Sequence, residues 1–178
     1  MKKIALFLST FCLLSSVARA DFYVGAGYGL SINDGSFHEN GIKSKYKDSA
    51  LYSLSAGAIM PIPLFDFRAE AEYFHSRPST KLFSSQNLDA LMLNTTGVIP
   101  LIPFIDPYVG LGLGYARYNH HTSPAWQAIA GVEYAFVTNP FVLGAEYRFL
   151  KLTENGGKGS DVSKYRSHGV ILKLKYTF

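Results

Sequence analysis

The sequence predicts an all-β fold: an eight-stranded antiparallel up-and-down β-barrel crossing a membrane, preceded by a cleavable signal peptide. Three observations predict it. Apolar residues recur with a period of two in eight successive segments. The links between those segments alternate between short, proline-rich ones and longer, polar ones. The first 20 residues are built like an export leader.

In the leader, Lys2 and Lys3 form the positive start, Ile4 to Val17 supply the apolar run, and Ala18-Arg19-Ala20 is a small-x-small cleavage site. Cleavage after Ala20 leaves Asp21 as the mature N-terminus. The run carries Ser and Thr and falls short of the ~20 residues of a spanning helix. Phe11 before Cys12 lacks the small residues of a lipoprotein leader. The organisation is therefore 1–20 signal peptide and 21–178 barrel domain.

Removing the leader changes two properties. Cys12 is the only cysteine of the 178 residues, so the mature chain has no disulfide, no thiolate nucleophile and no cysteine-ligated metal. The formal charge of +4 also collapses: 17 basic residues less the leader's three leave 14, against 13 acids. That near-neutrality removes a nucleic-acid partner. With 48% hydrophobic and 17% charged residues, disorder is excluded as well.

The segments follow in order, each near the ~9–11 residues a tilted transmembrane strand needs. Segment 22–33 sets Phe22, Val24, Ala26, Tyr28, Leu30 and Ile32 on one face against Tyr23 and a glycine row. Segment 50–60 sets Tyr52, Leu54, Ala56, Ala58 and Met60 against Ser53, Ser55 and Gly57. Segment 66–76 opposes Phe67, Ala69, Ala71 and Tyr73 to Arg68, Glu70 and Glu72. Segment 90–99 is less regular, with Leu91, Leu93 and Ile99 opposite Asn94 and Thr96.

Segment 107–118 opposes Val109, Leu111, Leu113 and Tyr115 to Gly110, Gly112, Gly114 and Ala116. Segment 125–136 sets Trp126, Ala128, Ala130, Val132, Tyr134 and Phe136 against Gln127, Gly131 and Glu133. Segment 141–150 sets Phe141, Leu143, Ala145, Tyr147 and Phe149 against Gly144, Glu146 and Arg148. Segment 167–178 sets Val170, Leu172, Leu174, Tyr176 and Phe178 against Lys173, Lys175 and Thr177. Throughout, the second face reads as polar or small, charges included.

Links 61–65, 100–106 and 138–140 are short, whereas 34–48, 77–88, 119–124 and 153–166 are longer and polar. Short turns on one side and longer loops on the other belong to a membrane barrel, and place both termini on the short-turn side. Phe22, Phe67, Phe136, Phe141, Tyr176 and Phe178 cluster at that side, with Tyr28, Tyr52, Tyr73, Tyr115, Trp126 and Tyr147 toward the other. Two such belts suit two membrane interfaces. A soluble sandwich or lipocalin-like barrel would share the periodicity but not the leader, links and belts.

A weak internal repeat accompanies the pattern. Tyr23-Val24-Gly25-Ala26-Gly27 echoes Tyr108-Val109-Gly110-Leu111-Gly112, and Ala71-Glu72-Tyr73 echoes Ala145-Glu146-Tyr147. The glycine runs lack the third glycine and the helix of a dinucleotide fingerprint, so no nucleotide or other cofactor is expected.

Chemistry concentrates on the inward phase. Arg68, Arg148, Lys173 and Lys175 face Glu70, Glu72, Glu133 and Glu146, four cations against four anions. An eight-stranded lumen is just wide enough for side chains, so a matched network is expected to plug it. The functional alternative is a proton or ion pathway through the same residues. Among five histidines, His120 and His121 are adjacent in a link, and His75 lies on the outward phase beside inward Ser76. A hydrolytic site needs histidine and nucleophile on one surface, and the same-face neighbour of His75 is Arg77. The long links carry Lys43, Lys45, Lys47, Arg77, Lys81, Lys158, Lys164 and Arg166, diluted by Asp34, Glu39, Asp48, Glu154 and Asp161. They form a solvated surface with the means to attract acidic glycans.

Residues 21–178 resemble the small outer-membrane β-barrel family of opacity-type proteins, surface antigens and OmpA-like barrel domains. The leader, the eight strands, Pro107-Tyr108-Val109-Gly110-Leu111-Gly112-Leu113-Gly114-Tyr115, Gly131-Val132-Glu133-Tyr134 and terminal Tyr176-Thr177-Phe178 carry the resemblance. It implies a non-catalytic barrel that anchors surface loops in the outer membrane, with periplasmic termini. Outer-membrane lipid, lipopolysaccharide and an extracellular ligand of the loops would be its partners. The outward series Leu174, Tyr176 and Phe178 resembles the family's signal to the barrel assembly machinery. The loops are shorter than those of adhesive members, and no peptidoglycan-binding domain follows. A narrow porin-like channel is the alternative, separable by single-channel conductance. A lipid-A-modifying enzyme is the third reading, separable by mass spectrometry of lipid A.

Overall fold

The computed structural model describes residues 20–33, 36–39, 42–45, 48–62, 65–77, 87–99, 104–118, 121–136, 139–153 and 166–178. The leader, with Ala18, lies outside the described residues, as do Lys47, Lys81, Lys158 and Lys164; Ala20 and Asp21 are inside.

Ten strands form: β1 (Asp21–Asn33), β2 (Ser36–Glu39), β3 (Ile42–Lys45), β4 (Ser49–Ile62), β5 (Phe65–Ser76), β6 (Leu88–Val98), β7 (Ile105–Tyr118), β8 (His121–Ala135), β9 (Phe141–Leu152) and β10 (Arg166–Thr177). Eight close a barrel in the order β1-β10-β9-β8-β7-β6-β5-β4, each antiparallel to its neighbours. Closure leaves no strand edge, which a membrane demands because lipid offers backbone groups no partner. β2 and β3 pair separately, a hairpin inside what the sequence presents as the plain link 34–48. A four-residue run of mixed polar and apolar residues is too short to register as a two-residue period.

The strands overrun the alternation at their ends. β4 reaches Ile62 and includes Pro61, paired in register with Asp66. Proline lacks an N–H and is tolerated at such a strand end. The start of β1 and the C-terminus share one rim, where the Phe178 amide donates to the Phe22 carbonyl at 3.0 Å. This is the terminal rim; the opposite one, carrying the longer connections, is the link rim.

Away from the link rim the outward phase is predominantly apolar, and Leu93, Leu113 and Phe178 are 69, 71 and 68% exposed. A continuous apolar band of that kind is tolerable only against lipid. Two expected belt members, Phe141 and Tyr176, pack edge-on at 5.3 Å near the terminal rim.

The inward phase departs from expectation. It is charged only toward the terminal rim, and at the link rim its polar groups are buried serines, paired as Ser31–Ser167 and Ser49–Ser76. Toward the link rim it is filled by Leu51, Phe74, Leu88, Met92, Leu150 and Ile171, all buried in one apolar cluster. The face read as polar or small throughout is thus half apolar. A lumen too narrow for a water column can be packed as a soluble core is, and alternation alone does not say which face is wet.

Candidate functional site in the lumen

Strands β5, β8, β9 and β10 deliver the eight inward charges. All eight are buried, Arg148 at 1% exposure and Glu72 at 0%. They form two clusters of different composition. Toward the terminal rim, Glu133 on β8 accepts from Arg68 Nη1 at 2.6 Å and from Lys175 Nζ. Deeper, Arg148 Nη2 reaches Glu72 Oε1 at 2.8 Å and Glu146 Oε1 at 2.5 Å. Lys173 Nζ lies 3.2 Å from Glu70, 3.2 Å from Glu72 and 3.3 Å from Glu146. The first cluster holds two cations and one anion; the second holds two cations and three anions. Their formal charges are +1 and −1, so the balance of the whole is kept between two unequal parts.

Two tyrosines join the clusters. Tyr23 donates its hydroxyl to Glu70 Oε2 and Tyr108 to Glu146 Oε2, both at 3.0 Å. The Lys175 ammonium lies over both rings, 5.0 Å from the Tyr23 centroid and 5.4 Å from that of Tyr108. Each ring therefore faces the cationic cluster while its hydroxyl serves the anionic one. Glycines make this possible. Tyr23 is the register partner of Gly57 and Tyr108 that of Gly131. A Cβ on Gly57 would meet the Tyr23 hydroxyl at 2.6 Å, and one on Gly131 the Tyr108 ring at 2.5 Å.

Amides complete the layer. Asn94 Nδ2 donates to Glu70 at 3.1 Å and Glu72 at 2.9 Å, and Gln127 Nε2 donates to Asn94 Oδ1 at 2.6 Å. Sequence reasoning placed Tyr23, Asn94 and Gln127 on the inward face without a role, and gave Tyr108 none. A signal was present: both tyrosines open the repeated Tyr-Val-Gly motif, and each sits opposite a glycine two strands of sequence apart from the other pair. The second echo is functional too, since Glu72 and Glu146 hold the same guanidinium.

Above the charges the Arg148 guanidinium lies 5.5 Å from the Phe74 ring, which begins the apolar cluster. A cavity at this junction, bordered by Leu51, Phe74, Leu88, Arg148 and Leu150, measures about 10 Å³. That is about the room of one water.

On the outward face, His75 has an acidic partner across the sheet. Asp89 Oδ1 lies 2.7 Å from His75 Nδ1 and accepts from the Tyr73 hydroxyl at 2.7 Å. Arg77 Nε donates to His75 Nε2 at 3.1 Å, and Ser76 points inward to bond Ser49 at 2.7 Å. The orienting carboxylate was invisible locally because it comes from β6. The position of a nucleophile is held by Arg77. No group of three or more metal-ligating side chains occurs among the described residues. Leu174, Tyr176 and Phe178 all face outward from the last strand.

Fold and interior together define an integral outer-membrane β-barrel. The chain belongs to the outer membrane protein beta-barrel domain family, whose model matches residues 4–178. No curated protein matches its sequence. Among solved structures it is similar to Neisserial surface protein A, at 18% identity and a TM-score of 0.66, over 89% of this chain and 99% of that one. It is similar to the outer membrane enzyme PagL at 12% identity and 0.57, over 85% and 97%. Ail, the attachment invasion locus protein of Yersinia pestis, in complex with the heparin analogue sucrose octasulfate, matches at 16% and 0.52, over 89% and 99%. These likenesses establish the eight-stranded outer-membrane fold.

Proposed function

We propose that this chain is a non-catalytic surface protein of the outer membrane, whose plugged barrel anchors the longer links on the extracellular side and keeps both termini in the periplasm. The observation that carries it is the filled lumen: two ionic clusters and an apolar cluster occupy its cross-section in succession. Side chains so packed leave no path for a solute, and a buried ion network of equal charges has no call for mobile counter-ions. The links supply the contacts. Ail is described with a sulfated sugar, and Lys43, Lys45, Arg77 and Arg166 give this chain's link side the charge to attract acidic glycans or lipopolysaccharide. During biogenesis the outward Leu174, Tyr176 and Phe178 address the barrel assembly machinery.

The test has two arms. Purified protein in planar bilayers should show no resolved unitary conductance, and a tag placed within 154–165 should be labelled on intact cells. A large, ion-selective conductance would replace this reading with the channel. Deleting Phe178 should lower the yield of protease-protected barrel in cells, and unchanged assembly would remove the assembly role.

A second reading has one observation behind it, the outward His75–Asp89 pair. Histidine and orienting acid are two parts of a hydrolytic set, and lipid would be its substrate. Arg77 in the nucleophile's place argues for the non-catalytic reading. Lipid A of unaltered mass in cells with and without the gene is the expected result.

A further inference from the structure

The outward face carries polar side chains in two places near the link rim, and they differ in how their charges are met. On β5–β7, Arg77 and Arg117 accompany Asp89, which is the register partner of Arg117 and the hydrogen-bond acceptor of Tyr73 and His75. That patch contains its own anion. On β9–β10, Lys151 and Arg166 are register partners of each other. Both stand on the outward phase, Arg166 exposed and Lys151 half-buried. Neither has a carboxylate within salt-bridge distance among the described residues.

Like charges directly opposite on neighbouring strands destabilise a sheet, and a lipid boundary screens them less than water does. Such a pair is relieved by an anion held between the two. Trp126 stands beside the pair as the register partner of Lys151 and packs on Phe149 at 5.5 Å; below, Phe149 meets His168 at 5.1 Å, and the Tyr147 hydroxyl and His168 Nδ1 are 2.5 Å apart. Rigid rings with polar edges suit the level where acyl chains meet a sugar headgroup.

We propose that Lys151 and Arg166 form a binding site for the phosphate of a phosphorylated, acylated saccharolipid of the outer leaflet, with Trp126 beside it and Phe149 and His168 beneath it against the sugar and acyl region. The choice of ligand follows from the site's position. Two cations ask for an anion with more than one charge, and the rings beside and below them offer contact to a sugar and its acyl chains. The site rests on the orientation proposed above, which puts the link rim in the outer leaflet.

Trp126 is the chain's one tryptophan, so its fluorescence reports this patch alone. The full chain, purified from outer membranes in neutral detergent, is titrated with bisphosphorylated lipid A in mixed micelles. A saturable change in Trp126 emission is expected, with the half-point about tenfold higher for Lys151→Gln/Arg166→Gln. Lys151→Arg/Arg166→Lys should restore it, and Arg117→Gln, in the patch with its own anion, should leave it in place. Heat-dependent gel mobility verifies that each variant is folded.

An unchanged half-point in the Gln double variant overturns the site. An equal loss with Arg117→Gln would mean general charge attraction and overturns it too. Saturation by inorganic phosphate at the same concentration would assign a free anion, and equal binding of phosphatidylglycerol would remove the saccharolipid. The micelle assay does not depend on orientation, whereas whole-cell labelling of 154–165 does. Failure of the labelling therefore strikes the surface reading and the ligand's identity in cells, and failure of the titration strikes this site alone.

Discussion

The two halves of the lumen solve one problem with opposite chemistry. Toward the terminal rim the interior is ionic: Arg68, Glu133 and Lys175, then Arg148, Glu72, Glu146, Lys173 and Glu70. Toward the link rim it is a hydrocarbon core of Leu51, Phe74, Leu88, Met92, Leu150 and Ile171. Both are filled with buried side chains; the link half adds serine pairs, Ser31–Ser167 and Ser49–Ser76, to its apolar contacts, whereas the ionic half is directional throughout. Apolar contacts tolerate sliding and repacking, whereas each carboxylate here must meet a particular guanidinium, ammonium, amide or hydroxyl. In a barrel whose outer surface is predominantly apolar, an ionic layer that fits in one register is a means of fixing the pairing of eight strands. The apolar half then adds burial without further constraint.

The largest effect separating the halves is expected at Glu133. It is the one acid contacting both Arg68 and Lys175, so Glu133→Gln leaves two cations buried side by side without their carboxylate. Breaking such a site by removing one partner costs about 3–5 kcal/mol. The urea midpoint of Trp126 fluorescence in detergent should fall accordingly. Adding Arg68→Met to Glu133→Gln should recover part of the loss, since one stranded cation is then gone. If the double variant is as weak as the sum of the two single ones, the ionic half is not a coupled unit.

Next comes the apolar half. Phe74→Ala removes a buried ring at the junction, and such truncations cost about 3–5 kcal/mol. The low end, about 3 kcal/mol, is expected here, because the ring already borders a small cavity and so has fewer contacts to lose. Bilayer conductance should remain absent, because the ionic layer beneath still closes the lumen. A pore opened by Phe74→Ala would assign the seal to the apolar half.

A smaller loss is expected where the halves share glycine chemistry. Gly131→Ala puts a methyl 2.5 Å from the Tyr108 ring and forces it away from Glu146 and Lys175. Overpacking of this kind costs about 1–3 kcal/mol. Gly97→Ala is the control, since its nearest neighbour stands 3.8 Å away, and it should be close to neutral.

The sequence made the barrel legible because a membrane imposes an apolar outward phase on every strand, and period two is readable without tertiary knowledge. β5 shows it plainly: Arg68, Glu70 and Glu72 alternate with Ala69, Ala71 and Tyr73. β6 was the least regular segment for a physical reason. Leu88, Ala90 and Met92 point into the apolar half while Leu91 and Leu93 face lipid, so both phases are apolar and the period fades. The eight charges were legible as an inward set, but not their division into a cluster of three and a cluster of five, which depends on stagger between strands distant in sequence. Asp89 was hidden likewise, its partner His75 lying across the β5–β6 pairing.

The smallest effect should be at Glu146, and the comparison with Glu133 is the sharpest the ionic half allows. Both are glutamates buried in the same lumen, with 3% and 2% exposure. Glu146, however, is one of three acids around two cations. Removing its charge leaves Arg148 with Glu72 at 2.8 Å, and Lys173 with Glu70 and Glu72, each at 3.2 Å. The inner cluster then balances at two against two, and the glutamine oxygen can still accept from Tyr108 and Arg148. Glu146→Gln should therefore cost about 1 kcal/mol, the scale of an ordinary hydrogen-bond change. The coupling between Glu146→Gln and Lys173→Met in a double-mutant cycle should be small for the same reason, because Lys173 divides its attraction among three carboxylates. Urea midpoints for Glu133→Gln and Glu146→Gln, measured side by side, decide the matter. Equal losses would mean that the network responds only to its total charge, and the two clusters would have no separate standing.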